Sequence, residues 1–164
     1  MTDAFSELMT RNDTTVVIVT TVAGGERSGC LVGFHAQASI DPVRYAVWLS
    51  KANHTHRVGA GAEVFAVHWV PSDHHDLAEL FGATTGDDVD KFAECAWTAG
   101  HGDVPLLDGC PDRFAGRRTA WIDADTDHSC VVLEPLVAEI GRGSSGWLRL
   151  SDAADITAGH PAEE

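Results

Sequence analysis

The sequence contains little positive charge. Its 164 residues include 11 Lys and Arg against 25 Asp and Glu, so the formal net charge is −14. Proteins that bind nucleic acid or anionic lipid need a basic surface to meet the phosphates. The charge balance therefore argues against nucleic acid and membrane surfaces as partners. A few local donors can still hold a phosphorylated small molecule against this overall field.

Long apolar runs and cysteine motifs are also missing. No stretch approaches the roughly 20 apolar residues that a membrane helix needs. Residues 1–13 lack the basic start and apolar core of a secretory signal. The four cysteines are widely spaced and form no CxxC pair, which is typical of thiols in a reducing cytosol. These absences predict a cytoplasmic protein without a membrane anchor.

Motifs of metal-dependent and nucleophilic enzymes are absent as well. The chain has no HExxH and no GxSxG motif. It also lacks the GxGxxG motif, so a nicotinamide would have to bind to a fold other than a Rossmann domain. His54 and His56 have HxH spacing, but they lie in a predicted turn without accompanying carboxylates. We predict no metal site.

The apolar pattern predicts one mainly β domain over residues 1–150, followed by a polar, flexible tail at 151–164. Residues 14–22, TTVVIVTTV, form the clearest strand, and a Gly24-Gly25 turn returns the chain as a second strand. Six or seven short strands with hairpin-length connections favour antiparallel pairing and closure into a barrel with a few short helices. Further strands are predicted at 44–49, 64–70, 113–125, 129–140 and 146–150, helices at 3–11, 55–61, 72–81 and 87–93, and a loop at 99–110.

The most informative stretch is residues 29–57, GCLVGFHAQASIDPVRYAVWLSKANHTHR. It predicts a strand, an irregular crossing at 35–39, a turn at Asp41-Pro42, another strand and a polar turn. Small residues let a flat ring lie against backbone, while hydroxyls, an amide and a lysine at a strand end suit a phosphate. A flavin mononucleotide has both parts. The plainer interpretation is a bulged strand followed by a solvated turn and a helix cap.

Four motifs, in order, resemble the flavin reductase-like, FMN-binding split-barrel family. They are Ser39-Ile40-Asp41-Pro42 after a small-residue segment, Lys51-Ala52-Asn53-His54-Thr55-His56, Asp90-Lys91-Phe92 after the helix ending at Phe81, and Asp127-His128 before the last long strand. The order and spacing of these motifs are more specific than any one of them. The likeness runs over residues 5–141.

The resemblance implies an antiparallel split barrel that forms a homodimer, binds FMN or FAD and takes hydride from NADH or NADPH. Many members of the family supply reduced flavin to a separate monooxygenase. The cofactor-binding residues that it implies are Gly33, Phe34, His35, Ala36, Ser39, Ser50, Lys51, Asn53, Thr55, Lys91 and Phe92. His128 is the implied catalytic side chain, in contact with nicotinamide or flavin or relaying a proton. The plainer alternative is a histidine at a hairpin corner.

The chain departs from the family pattern at two places. The family has serines before a Phe where this chain has Gly33, Phe34 and His35, and a second proline where this chain has Val43. Backbone contacts to a ring survive both changes, whereas hydroxyl contacts do not. A non-catalytic flavin or haem binder, and a deazaflavin-dependent reductase on the same fold, are therefore alternatives to a flavin reductase.

Overall fold

The computed structural model describes residues 3–143 and 146–158. None of the helices in these residues is long and apolar enough to cross a membrane. The helices are α1 (Asp3–Asn12), α2 (His54–Gly59) and α3 (His75–Ala83). The strands are β1 (Val17–Ala23), β2 (Glu26–Val32), β3 (His35–Ile40), β4 (Val43–Ser50), β5 (Val64–Trp69), β6 (Trp97–Ala99), β7 (Pro105–Leu107), β8 (Arg113–Asp123) and β9 (His128–Glu139).

Seven strands form one antiparallel sheet in the order β2-β1-β5-β8-β9-β4-β3. The branched side chains of β1 favour pleated backbone, and Gly24 and Gly25 take the positive φ that a tight hairpin to β2 requires. The strands β2 and β3 lie at opposite edges of the sheet, yet Gly33 and Phe34 alone separate them in the chain. The sheet therefore curls until its edges approach, and the predicted antiparallel barrel is confirmed.

The barrel interior is the main core. Side chains two residues apart point to the same face of a strand, so alternate residues of the curled sheet meet inside it. The residues of this inner core are Val17, Val19, Cys30, Val32, Val47, Leu49, Ala62, Phe65, Val67, Phe114, Val131 and Leu133.

A second, outer core lies between the barrel wall and α3. Ile18 faces this side of β1, and Phe81 of α3 packs in the same cluster. A Cβ on Gly29 would lie 2.8 Å from the Phe81 ring, so glycine allows the helix to approach β2. Ala153 and Ile156 also pack against this cluster, which holds the C-terminal segment on the barrel.

His68 is a fully buried polar residue that joins three strands. Its Nδ1 donates to the Ile18 carbonyl of β1 at 3.0 Å, and its Nε2 accepts from the Leu107 N–H of β7 at 3.1 Å. Burial lowers the pKa of His68 to about 4. The ring is therefore neutral at pH 7, with its proton on Nδ1.

The structure corrects the predicted strands at two places. Residues 35–39, predicted as an irregular crossing, lie in β3, which pairs with β4 around a bulge between Gln37 and Ser39. This edge strand has no continuous apolar face, so periodicity does not reveal it. The predicted loop at 99–110 contains β7, which pairs with β6. The described residues thus hold nine strands rather than six or seven.

Other predicted elements are wrong or shifted. The helix predicted at 72–81 begins and ends later, as α3. Residues 87–93 contain a 3-10 turn at Lys91–Ala93 instead of a helix, and residues 146–150 make isolated bridges instead of a strand. In the predicted tail, Leu150–Ala153 form a 3-10 turn, and residues 159–164 lie outside the described residues.

Candidate functional site

A cavity of about 950 Å³ opens beside the junction of β2 and β3. Four segments supply most of its lining, at residues 30–34, 48–53, 126–128 and 150–158, and Val16, Phe81 and Gly82 complete it. The first two are close in sequence, and the third meets them because β9 pairs with β4. The volume lies in the range of roughly 300–1,000 Å³ that is typical of small-molecule sites.

The polar end of the cavity lies at the end of β4, where Ser50, Lys51 and Asn53 all line the wall. The Lys51 ammonium is held 2.7 Å from Asp123 Oδ1, across the β8–β9 hairpin. The Asn53 side chain makes no capping bond to α2. The Lys51 ammonium is paired with Asp123, and with the neutral donors beside it, it makes a set that suits a phosphate group.

An aromatic surface forms another part of the wall. The Phe34 ring is 58% exposed, and its centroid lies 5.1 Å from the imidazole of His128. The Phe34 carbonyl accepts from the Trp48 N–H at 2.9 Å, which fixes the backbone there. His128 Nδ1 lies 2.9 Å from Asp127 Oδ1, and this hydrogen bond lowers the pKa of the Asp127 carboxyl. The exposed ring offers a flat apolar surface to a planar ligand.

Three predicted cofactor residues on β3 lie away from this cavity. His35 Nδ1 accepts from the Tyr45 hydroxyl at 2.7 Å, and Nε2 donates to the Thr15 carbonyl at 2.7 Å. Burial lowers the pKa of His35, so the ring is held as a neutral structural group. Ala36 and Ser39 lie on the edge strand and do not line the cavity.

Thr55, Lys91 and Phe92 are buried. The Lys91 ammonium donates to the carbonyls of Gly29 and Phe81, each at 3.0 Å, and burial lowers its pKa. Phe92 belongs to the outer core. None of the three lines the large cavity, and Lys91 and Phe92 line a separate cavity of about 290 Å³ instead. The predicted residues that do line the large cavity are Gly33, Phe34, Ser50, Lys51, Asn53 and His128.

The C-terminal wall of the cavity was missed by sequence analysis. Leu150 packs so close to Gly33 that a Cβ there would lie 2.8 Å from Leu150 Cδ2, and Ile156 also lines the cavity. An ion pair between His75 Nε2 and Asp155 Oδ1, at 2.9 Å, joins this segment to α3. The signal in the sequence was the apolar pair Leu150 and Ile156, which interrupts an otherwise polar tail.

The lining of the cavity fits a planar ligand that carries an anionic tail, such as FMN. It combines the exposed Phe34 ring, the backbone of Gly33, which carries no side chain, and the cation of Lys51. Within residues 3–143 and 146–158, no group of three or more His, Cys, Asp or Glu side chains is placed to hold a metal ion.

The chain is similar in sequence to known proteins over most of its length. Residues 9–149 match the family model described as the flavin reductase like domain. The chain is 27% identical over 160 residues to the FMN reductase (NADH) RutF of Ancylobacter novellus, a match that covers 97% of this chain and 87% of that protein.

Solved structures give the same fold. The NADH:FAD oxidoreductase SgcE6 of Streptomyces globisporus has a TM-score of 0.76 to this chain at 21% identity, and the match covers 89% of each chain. An oxidoreductase of Sinorhizobium meliloti has a TM-score of 0.75 at 22% identity and covers 89% of this chain. This chain spans about half of that protein, 49% of its length. The shared architecture is an antiparallel split barrel with a few short helices.

Proposed function

The chain belongs to the flavin reductase like domain family, and on that basis we propose that it is an FMN-binding flavin reductase that takes hydride from NADH or NADPH. The observation that carries this proposal is the large cavity, which has an aromatic wall and a fixed lysine at one end. FAD is the alternative flavin, since one relative acts on it by name.

The roles of the lining residues follow from their chemistry. The flavin, when bound, supplies the hydride-accepting ring, so the protein must hold and orient it. Lys51, Ser50 and Asn53 hold the phosphate, and Phe34 packs against the ring. His128, beside Phe34, is placed to contact the nicotinamide or to donate a proton at its imidazole.

Turnover of the purified protein tests the function. We expect oxidation of NADH or NADPH to depend on added FMN, and the protein incubated with FMN to show a flavin absorbance spectrum. A haem or deazaflavin spectrum in the isolated protein, or no acceleration with either FMN or FAD, would contradict the proposal. Comparing the two flavins and the two nicotinamides also fixes their order of preference.

The role of His128 can be separated from flavin binding. His128→Gln is expected to raise KM for the nicotinamide by about two- to tenfold, since one hydrogen bond is worth roughly 0.5–1.5 kcal/mol. The FMN dissociation constant should change less than KM. His101→Gln, at an exposed turn outside the cavity, is the matched control and should leave both constants unchanged. An unchanged KM in His128→Gln would remove His128 from the nicotinamide site.

The protein is further proposed to act as a homodimer. Every residue of α1 is exposed, including Phe5, Leu8 and Met9, and Ile40 and Ile140 are 85% and 90% exposed. Such apolar surfaces are typical of protein interfaces. Sedimentation equilibrium tests the assembly.

A cytoplasmic location and a partner oxygenase complete the proposal. The four cysteines, Cys30, Cys95, Cys110 and Cys130, are all thiols, as expected in a reducing compartment. Reduced flavin leaves a reductase as a diffusible product, so a separate monooxygenase is the class of enzyme that would consume it. Transfer of reduced flavin to an added oxygenase would test this step.

A further inference from the structure

One short segment, residues 149–158, forms the C-terminal wall of the large cavity. The residues of this segment that line the cavity are all apolar: Leu150, Ala153, Ala154, Ile156 and Ala158. Its hydroxyl and carboxylate side chains at Ser151, Asp152 and Asp155 belong to exposed residues outside the lining. The segment thus turns an apolar face to the cavity and a polar face to the solvent.

Polar contacts fix this segment at both ends. The Asp13 carboxylate accepts from the N–H and from the hydroxyl of Ser151, each at 2.8 Å, and the Asp13 carbonyl accepts from the Arg149 guanidinium at 2.9 Å. Further along the segment, the ion pair of Asp155 with His75 holds it to α3. The C-terminal wall is therefore a fixed part of the cavity.

Leu150 and Ile156 are the large side chains of the C-terminal wall, and each packs against a glycine. A Cβ on Gly33 would lie 2.8 Å from Leu150 Cδ2. A Cβ on Gly82, near the end of α3, would lie 3.1 Å from Ile156 Cγ2. Both glycines also line the cavity. The two side chains are held against the backbone at its edge, with little room to move away from a ligand.

The C-terminal wall offers few hydrogen-bond donors to a ligand. The backbone N–H groups of Leu150, Ser151, Asp152 and Ile156 all donate to other groups of the protein. A ligand acceptor placed against these residues would lose its hydrogen bonds to water without replacing them, which is costly. This wall therefore fits an apolar edge of a ligand.

Gly33 and Phe34 lie between the C-terminal wall and the polar end of the cavity. Gly33 contacts the wall through Leu150. The Phe34 carbonyl accepts from the N–H of Trp48, two residues before Ser50 and the donors that follow it. A planar ligand whose phosphate binds at those donors extends across Phe34 toward the C-terminal wall.

We propose that the C-terminal wall, through Leu150 and Ile156, selects flavins that carry methyl groups on their benzenoid ring. This inference rests on the proposed function and assigns the ring edge that the wall contacts. A flavin ring has two unlike edges: the pyrimidine edge carries an N–H and two carbonyl groups, and the benzenoid edge carries two methyl groups. Burial of unpaired polar groups is costly, so the pyrimidine edge turns away from this wall. The methyl edge gains from contact with leucine and isoleucine.

The same contact separates flavins from the deazaflavin alternative. A hydroxylated deazaflavin lacks both methyl groups and carries a hydroxyl at the same edge. A hydroxyl that is buried against an apolar wall loses its partners in water. The C-terminal wall therefore favours FMN or FAD over a hydroxylated deazaflavin.

FMN without its two methyl groups, didemethyl-FMN, tests the contact. Dissociation constants for FMN and didemethyl-FMN are measured by fluorescence quenching, and their ratio is compared between proteins. The wild type is expected to bind didemethyl-FMN about fifteenfold more weakly, since each buried methyl contributes about fourfold. In Leu150→Ala and in Ile156→Ala the ratio should fall to about fourfold, because one methyl loses its partner. A ratio taken within one protein is unaffected by a general loss of affinity.

Ile122→Ala is the matched control. Ile122 lies on β8, is 49% exposed and does not line the large cavity. The same side-chain change there should leave the ratio at its wild-type value. If FMN binds but the wild-type ratio is near one, or is the same in the wild type and in both wall variants, the inference is wrong and the proposed function stands. If the wild type does not bind FMN, the proposed function fails and this inference fails with it.

Discussion

Replacing Lys51 with alanine is expected to raise the dissociation constant for FMN by about tenfold. A hydrogen bond to a charged group contributes roughly 1.5–3 kcal/mol, and each 1.4 kcal/mol is a factor of ten. The Lys51 side chain is 33% exposed, so we expect the lower part of this range. Titration of FMN by fluorescence quenching measures the change, and added salt should reduce the difference between variant and wild type.

Arg57→Ala is the control for Lys51→Ala. Arg57 is a nearby cation on α2, but it is exposed, forms an ion pair with Asp87 and does not line the large cavity. Its replacement removes the same charge and should leave FMN affinity unchanged. Equal losses in both variants would mean that the overall field, rather than a phosphate contact, determines affinity. Unchanged affinity in Lys51→Ala would remove Lys51 from the site.

Acidification from pH 6.5 to pH 4 is expected to cost the protein about 3 kcal/mol of stability through His68 alone. Burial lowers the pKa of His68 from its ordinary value of 6.5 to about 4. Between these values the unfolded chain binds a proton that the folded chain lacks, so stability falls as the pH falls. Each pH unit in this window is worth about 1.4 kcal/mol for one fully buried group. Urea unfolding at several pH values measures the slope.

His68→Gln isolates this contribution. Glutamine does not titrate, so the difference in unfolding free energy between wild type and variant should shrink as the pH falls through the window. Burial also lowers the pKa values of His35 and His56, whereas Asp155 raises that of His75. Those groups remain in the variant, so their effects cancel in the comparison. Parallel pH profiles in the two proteins would show that His68 is not held neutral.

The strongly acidic chain and its proposed anionic ligand are reconciled by local geometry. The net charge of −14 is spread over the surface, whereas the Lys51 ammonium is fixed by Asp123 at the polar end of the cavity. Fixed donors at close range outweigh distant charges that water and salt screen. The same argument explains why a composition that argues against nucleic acid is compatible with a single bound phosphate.

The fold was largely predictable from local signals. Branched residues at 14–22 and the glycine pair after them predicted the first hairpin, which the structure confirms as β1 and β2. The edge strand β3 was missed because its residues do not alternate between apolar and polar. Only its pairing with β4 makes it a strand. The short β7 was missed because a three-residue strand has too few positions to show a period.

The cavity was predictable in part. The cluster at Ser50, Lys51 and Asn53 lines it as expected of donors at a strand end. Lys51 and Lys91 both belong to motifs of the family, and no local pattern indicates that two backbone carbonyls hold the Lys91 ammonium. Neighbouring Phe34 and His35 likewise diverge, one toward the cavity and the other toward Tyr45. Whether each of these side chains reaches the cavity depends on how deeply it is buried and on which face of the strand it occupies.

The sequence by itself determined the antiparallel hairpins, the absence of a basic surface and the donors at the end of β4, since each depends on residues close together in the chain. The tertiary structure decided that residues 30–34, 48–53, 126–128 and 150–158 surround one cavity. It also joined Glu26 and Ser28 of β2 to His54 and Thr55 of α2 by hydrogen bonds. Strand order and register set such distant contacts, and a shift of one residue would turn each side chain to the opposite face.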